Sequence, residues 1–139
     1  MKYITLEDIK AFMKDSDHKF LDDQDTIDRL EISSLGIVNS YIGGLYDLEI
    51  EYNKKDVERN QIILKSVISI FMMDFYRKFS MNDIQHLVQQ RYDETIELLQ
   101  RVGKSVQPLY GLHRRLAGDP IKNLAPVVYM TQAPINYNW

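Results

Sequence analysis

Ile62-Ile63-Leu64-Lys65-Ser66-Val67-Ile68-Ser69-Ile70-Phe71-Met72-Met73-Asp74-Phe75-Tyr76 is the stretch that decides the fold. Only Lys65 and Asp74 carry charge in it, and neither proline nor glycine interrupts it. Wound as a helix, it has almost no polar face, and a helix apolar nearly all round is buried on several sides. We therefore expect a central helix that begins after Asp56 and ends near Phe79. Fully burying each large side chain contributes roughly 1.5–3 kcal/mol, so this segment should dominate the core. The run is too short and too charged to cross a bilayer, which takes about 20 apolar residues.

On the N-terminal side, Ile27, Leu30, Ser34, Val38, Tyr41 and Leu45 recur at steps of three and four. That spacing predicts a second helix from Thr26 to Tyr41 or Leu45, capped by Asp25 and ended or loosened by Gly43-Gly44. A first short helix should start at Thr5, where Thr5 and Asp8 form a capping box and Leu6, Ile9, Phe12 and Met13 make one apolar side. The polar run from Lys14 to Asp25 reads as a loop with an extra turn at Phe20-Leu21. Leu48, Ile50 and Tyr52 alternate in the connection after Tyr46, which suggests a short extended stretch. Beyond the central helix, Ser80 or Asn82 should cap a fourth helix reaching Val102. Its inner face would be Ile84, Val88, Tyr92, Leu99 and Val102, with Glu97–Arg101 as a favourable i,i+4 pair and Gly103 just past its end. The expectation is an all-α fold, a small four-helix bundle over residues 1–103.

Residues 104–139 differ in character. They hold every proline of the chain (Pro108, Pro120, Pro126, Pro134) and the only tryptophan. Disordered solvent tails are usually poor in large apolar residues, whereas this segment carries Leu109, Tyr110, Leu112, Val127, Tyr129, Ile135, Tyr137 and Trp139. Its prolines forbid a continuous helix and its apolar content disfavours water. The simplest resolution is an extended C-terminal arm that lies on another protein.

Charge divides in the same place. The chain's net charge is −3, made of an acidic body and a basic start to the arm at Lys104, Arg114, Arg115 and Lys122. An acidic body argues against broad nucleic-acid binding. The absence of cysteine excludes disulfides and thiolate metal sites. Charges at Lys2, Glu7 and Asp8 occupy the place where a signal peptide needs an apolar core, so no secretion signal is expected.

A search for chemistry yields little. Asp83 and His86 have i,i+3 spacing, but a di-metal bundle needs companions on other helices, so a solvated pair at a helix start is the plainer reading. There is no Gly-x-Ser-x-Gly elbow, and Ser66, Ser69 and Ser80 have no histidine nearby in sequence. Gly43-Gly44 lacks the lysine and spacing of a phosphate loop. Asp74, amid apolar neighbours, should face water or pair with Arg77 or Lys78. Arg114 and Arg115 suit phosphates or the acidic side chains of a protein partner. Tyr129, Tyr137 and Trp139 suit bases or a protein groove, and the groove also accounts for Val127, Val128 and Ile135. No catalytic residue, metal or cofactor is expected.

The order of elements resembles the small head–tail connector proteins of tailed bacteriophages, in particular the Mu-type head–tail joining (adaptor) family. The likeness covers residues 3–103. Tyr3-Ile4-Thr5-Leu6-Glu7-Asp8-Ile9 looks like that family's short capped first helix, and Leu21-Asp22-Asp23 like its next segment. Ile37-Val38-Asn39-Ser40-Tyr41-Ile42-Gly43-Gly44-Leu45-Tyr46 is similar to its second helix. Arg91-Tyr92-Asp93-Glu94-Thr95, Leu98-Leu99 and the Gly103-Lys104 exit are similar to its last. Many relatives have prolines after the second helix, where this chain has Leu48-Glu49-Ile50-Glu51.

The resemblance implies a ring of about a dozen copies under the portal, around a channel through which DNA passes without sequence-specific binding. It also implies a location at the head–tail interface of a virion assembled in the host cytoplasm, with no membrane contact. A ring repeats one heterologous contact, so two faces of the body must be adhesive. Leu35, Ile42, Phe71, Met72 and Phe79, with Ile62, are the residues expected at that subunit interface. Leu109, Tyr110, Arg114, Arg115, Val127, Tyr129, Ile135, Tyr137 and Trp139 would bind the portal protein, a neighbour, or a downstream tail or stopper protein. A stand-alone helical regulator that binds a protein partner and a metal-dependent helical enzyme are the competing expectations.

Overall fold

The computed structural model describes residues 1–79 and 84–115. Its architecture is all-α. Five α-helices follow one another: α1 (Leu6–Lys10), α2 (Gln24–Ile42), α3 (Leu48–Tyr52), α4 (Gln61–Lys78) and α5 (His86–Gly103). Helix α4 packs against α2 on one side and α5 on the other, α2 also meets α5, and α1 lies on α4. Ile63, Val67, Ile70, Phe71, Met73 and Phe75 of α4 are fully buried, as a helix apolar on nearly every face requires. Among the described residues, no helix is long and apolar enough to cross a membrane.

The caps explain where the helices start. The Thr5 hydroxyl accepts from the Asp8 N–H at 3.1 Å and the Asp8 carboxylate accepts from the Thr5 N–H at 2.9 Å, completing the capping box of α1. Helix α2 is capped by Asp23 and not by Asp25, because the Asp23 side chain reaches both the N–H and the hydroxyl of Thr26. Helix α4 starts at Gln61 and not just after Asp56. Asn60 caps it by accepting from Ile62 and Ile63, while Asp56 adopts φ 52° in a separate 3-10 turn. Helix α5 begins at His86 behind Gln85, without a side-chain cap; the expected caps Ser80 and Asn82 lie outside the described residues.

Two connections differ from expectation. Residues 48–52 are helical and not extended. The Asp47 side chain accepts from the Glu49 N–H, and Leu48, Glu51 and Tyr52 turn inward at i, i+3, i+4 while Ile50 stays exposed. The loop before α2 is a 3-10 helix over Asp15–Asp22, which buries Leu21, sets the Phe20 ring 5.3 Å from Phe79, and places Asp17 2.9 Å from the Tyr76 hydroxyl.

Gly103 serves a different purpose from the one its position suggests. It is the last residue of α5, and a Cβ there would sit 2.6 Å from the Tyr41 carbonyl oxygen. The close approach of α5 to the end of α2 therefore demands glycine. The left-handed turn after the helix falls to Ser105, at φ 60°.

Candidate interaction site

Two surfaces of this body combine exposure with unusual chemistry, the root of the C-terminal segment and a groove between α4 and α5. A buried polar cluster lies at the start of the chain.

The cluster is built on Glu31 and Glu51, each 1% exposed. Glu31 sits on the inward face of α2 and accepts three backbone N–H groups, from Lys2 at 2.6 Å, Tyr3 at 2.9 Å and Ile4 at 2.8 Å. Glu51 accepts from the Tyr3 hydroxyl and the Asn60 N–H, both at 2.6 Å, with the Lys54 ammonium 3.4 Å away. Arg59 closes the arrangement. Its guanidinium donates to the Tyr3 carbonyl at 2.9 Å and to Asp8 at 2.7 Å, and lies over the Tyr3 ring. Burial, then the bond to Glu51, pushes the Tyr3 phenol far above its ordinary value. Burial also pulls the Asp8 carboxyl up, but the bonds from Arg59 and Thr5 outweigh it and leave that carboxyl below its usual range. The cluster ties residues 2–4 to α2, α3 and the start of α4; both hydrogen bonds to Glu51 go to Oε2, while Oε1 accepts none and meets only the Lys54 ammonium. Sequence reasoning missed it, although Glu31 continues the Ile27, Ser34, Val38 stripe of α2.

The root of the C-terminal segment folds back on this body. Leu109 is buried, and its N–H donates to the Tyr46 hydroxyl at 3.0 Å. Asn60 donates to the Tyr110 carbonyl at 3.0 Å, while the Tyr110 ring is 84% exposed. The N–H of Asp47 donates to the His113 carbonyl and the N–H of Arg115 to the Leu45 carbonyl, each at 2.8 Å, as Tyr46 and Arg114 form an antiparallel bridge. Arg114 places its guanidinium over the Tyr46 ring, and Arg115 Nε donates to the Gly43 carbonyl at 2.7 Å. Residues 104–115 thus pack on the bundle, and the body does not stop at 103. Leu109 and Arg115 contact their own chain. Val127, Tyr129, Ile135, Tyr137 and Trp139 lie outside the described residues.

The groove has a volume of about 390 Å³ and opens between α4 and α5 beside Phe12. Small residues create it. Ser66 and Thr95 are buried at its bottom and Ser69 lies beside them, where larger side chains would close the gap. The Ser66 hydroxyl is satisfied by the Ile62 carbonyl at 2.8 Å. Ile62 (42% exposed), Leu98 and Phe12 form apolar walls. Lys65, Arg91 and Glu94 stand around it, and the Arg91 guanidinium lies 5.0 Å from the Phe12 ring centre. A narrow slot beside Phe12 is lined by Ile68, Ser69, Met72, Val88 and Arg91. Ser66 and Ser69, one turn apart in an otherwise apolar run, are the signal in the sequence that marks this groove.

The expected subunit-interface residues fall elsewhere. Leu35, Ile42, Phe71 and Met72 are buried within the single chain, so a neighbouring copy cannot touch them. They looked surplus because a four-helix core was assumed to be smaller than it is. The chain also buries Tyr3, Ile4, Tyr46, Leu48, Tyr52 and Leu109, and these consume the extra apolar area. Phe79 is half-buried against Phe20 and Phe75. Of that set Ile62 alone is exposed, on the groove.

Asp74 faces outward beside Arg77 at 3.9 Å, and partial burial raises its carboxyl above the usual value despite that cation. His86 is exposed, and Asp83 lies outside the described residues. Among the described residues, no three His, Asp or Glu side chains gather as a metal site would require. No protein-family model, curated protein or solved structure matches this chain.

Proposed function

We propose that this protein is a structural component of a tailed-phage virion, a head–tail connector whose copies form a ring beneath the portal and join capsid to tail around the DNA channel. The observation that supports the reading best is the way the body holds the root of the arm. Paired backbone bonds to Leu45 and Asp47, the Arg115 contact to Gly43 and the buried Leu109 fix the chain as far as residue 115. Everything after that point is a proline-bearing apolar segment, free of charge from Asn123 onward. A rigid helical body that launches such a segment from a fixed point suits a part that must grip neighbours in a defined geometry. Repetition around a ring multiplies the grip, because each tethered arm binds at high effective concentration once its fellows are seated.

The remaining features agree. The acidic body suits the wall of a channel that DNA must slide along, since like charges repel within about a Debye length, roughly 8 Å. The specific role rests on the resemblance of residues 3–103 to the adaptor family. In this role the partners are further copies of the chain, the portal protein and a downstream tail or stopper protein, and no reaction is catalysed.

The test is assembly. Light scattering and electron microscopy of the full chain, alone and mixed with a tailed-phage portal protein, should show rings or ring-capped portals. Removing residues 116–139 should leave the body folded and abolish joining. Removing residues 105–139 should also destabilise the body, because Leu109 and the Tyr46 contacts go with it. A full chain that stays monomeric in the presence of portal, or a 1–115 form that still joins heads to tails, would overturn the proposal.

A further inference from the structure

The groove between α4 and α5 has apolar walls at Phe12, Ile62 and Leu98, with Lys65, Arg91 and Glu94 around it. Its volume is about 390 Å³. Ile62, Leu98 and Phe12 offer water no partner, and the Ser66 hydroxyl donates to its own helix, so water gains little on the walls and finds its partners at the rim. The apolar walls fit an extended peptide that brings apolar side chains.

The chain itself carries a segment of that description. From Asn123 to Trp139 there is no charged residue, while Leu124, Val127, Val128, Tyr129, Ile135 and Trp139 are apolar or aromatic. Pro126 and Pro134 favour the extended backbone that a groove accepts at low entropic cost. Asn60 caps α4 and donates to the Tyr110 carbonyl, so the C-terminal segment already touches the end of the helix on which the groove starts, two residues on, at Ile62. Residues 116–139, extended at about 3.3 Å each, reach on the order of 80 Å, several times the radius of gyration of about 13 Å expected for such a body. Reach therefore does not limit the contact.

We propose that the α4–α5 groove is the seat of the chain's own C-terminal segment, with residues 123–139 as the docking stretch. The contact stands independently of the ring. In an assembly the segment comes from the adjacent copy, and in a monomer from the same molecule.

Trp139 makes the test direct, because it is the only tryptophan and reports on the C-terminal segment alone. In the full chain its emission should be blue-shifted and shielded from a soluble quencher. Ile62→Glu and Leu98→Glu, which put charge on the groove walls, should each raise quencher access several-fold. Ile32→Glu, at an exposed position on α2, should leave it unchanged. Circular dichroism of the variants checks that the helices persist. Ile62 is exposed and in the first turn of α4, so its substitution by glutamate leaves the core intact. Light scattering on the same samples separates the two ideas. A shielded tryptophan in a monomer supports the groove contact and removes the ring. A ring with an exposed tryptophan overturns the groove contact and leaves the ring. Quenching in the folded Ile62→Glu and Leu98→Glu variants that matches the unaltered chain also overturns it.

Discussion

Replacing Glu31 by alanine should release the start of the chain. The carboxylate is almost fully buried and is the acceptor for the N–H groups of Lys2, Tyr3 and Ile4. Hydrogen bonds to a charged group contribute about 1.5–3 kcal/mol each, so the gross loss is on the order of 4–9 kcal/mol. Two of the donors are on residues 1–2% exposed and cannot turn to water while the segment stays in place. Detachment then becomes the cheaper state. It exposes Tyr3 and Ile4 but returns about 1–2 kcal/mol of backbone entropy for each freed residue. The balance is a net destabilisation of about 2–4 kcal/mol, or roughly 8–16 °C in melting temperature for a chain of this size. Glu31→Gln keeps one acceptor oxygen for Tyr3 and Ile4 and turns an amide N–H₂ toward Lys2, and should cost about half as much. Urea denaturation measures the stability, and hydrogen exchange at the amides of residues 2–4 measures detachment. An alanine variant within about 0.5 kcal/mol of the parent, with those amides still protected, would refute the reasoning, since ordinary surface changes have effects of that size.

Three further outcomes follow from the geometry. Gly103→Ala puts a Cβ 2.6 Å from the Tyr41 carbonyl; overpacking of about 1–3 kcal/mol outweighs the gain in helix propensity of up to about 1 kcal/mol, and a more stable variant in urea would show the approach to be looser. Asp74 is raised by burial above its usual 3.8, so the folded state binds its proton more readily than the unfolded one, and stability falls as pH rises through that window. Asp74→Asn should therefore be more stable than the parent at neutral pH, with the advantage shrinking toward pH 4; equal stability at both pH values would contradict this. Asp8 behaves oppositely, because its folded value lies below 3.8. Its ion pair with Arg59 stabilises at neutral pH and is lost in acid. Asp8→Asn should cost about 1.5–3 kcal/mol at pH 7 and progressively less as pH falls below 4 in denaturation curves.

The sequence by itself determined the all-α class, the central place of the helix at 61–78 and the capping box at Thr5 and Asp8. Each is a local or periodic property. An uninterrupted apolar run, a 3.6-residue repeat and a side chain three residues from its partner are written directly in the order of residues. The Glu97–Arg101 pair, at 3.3 Å, was legible for the same reason. Tertiary structure alone decided the rest, because it depends on what other segments bring. The alternation of Leu48, Ile50 and Tyr52 suggested a strand, yet Asp47 caps a helix there and the body buries only one of its faces. Leu35, Ile42, Phe71 and Met72 looked adhesive until the N-terminal residues, α3 and Leu109 were seen to complete the core around them. Glu31 and Glu51 passed without notice in the sequence, and only the approach of residues 2–4 and Asn60 made them a clamp. The groove arose in the same way. Serines in α4 leave space only because α5 places a threonine opposite them, and packing between two helices is a property of neither alone.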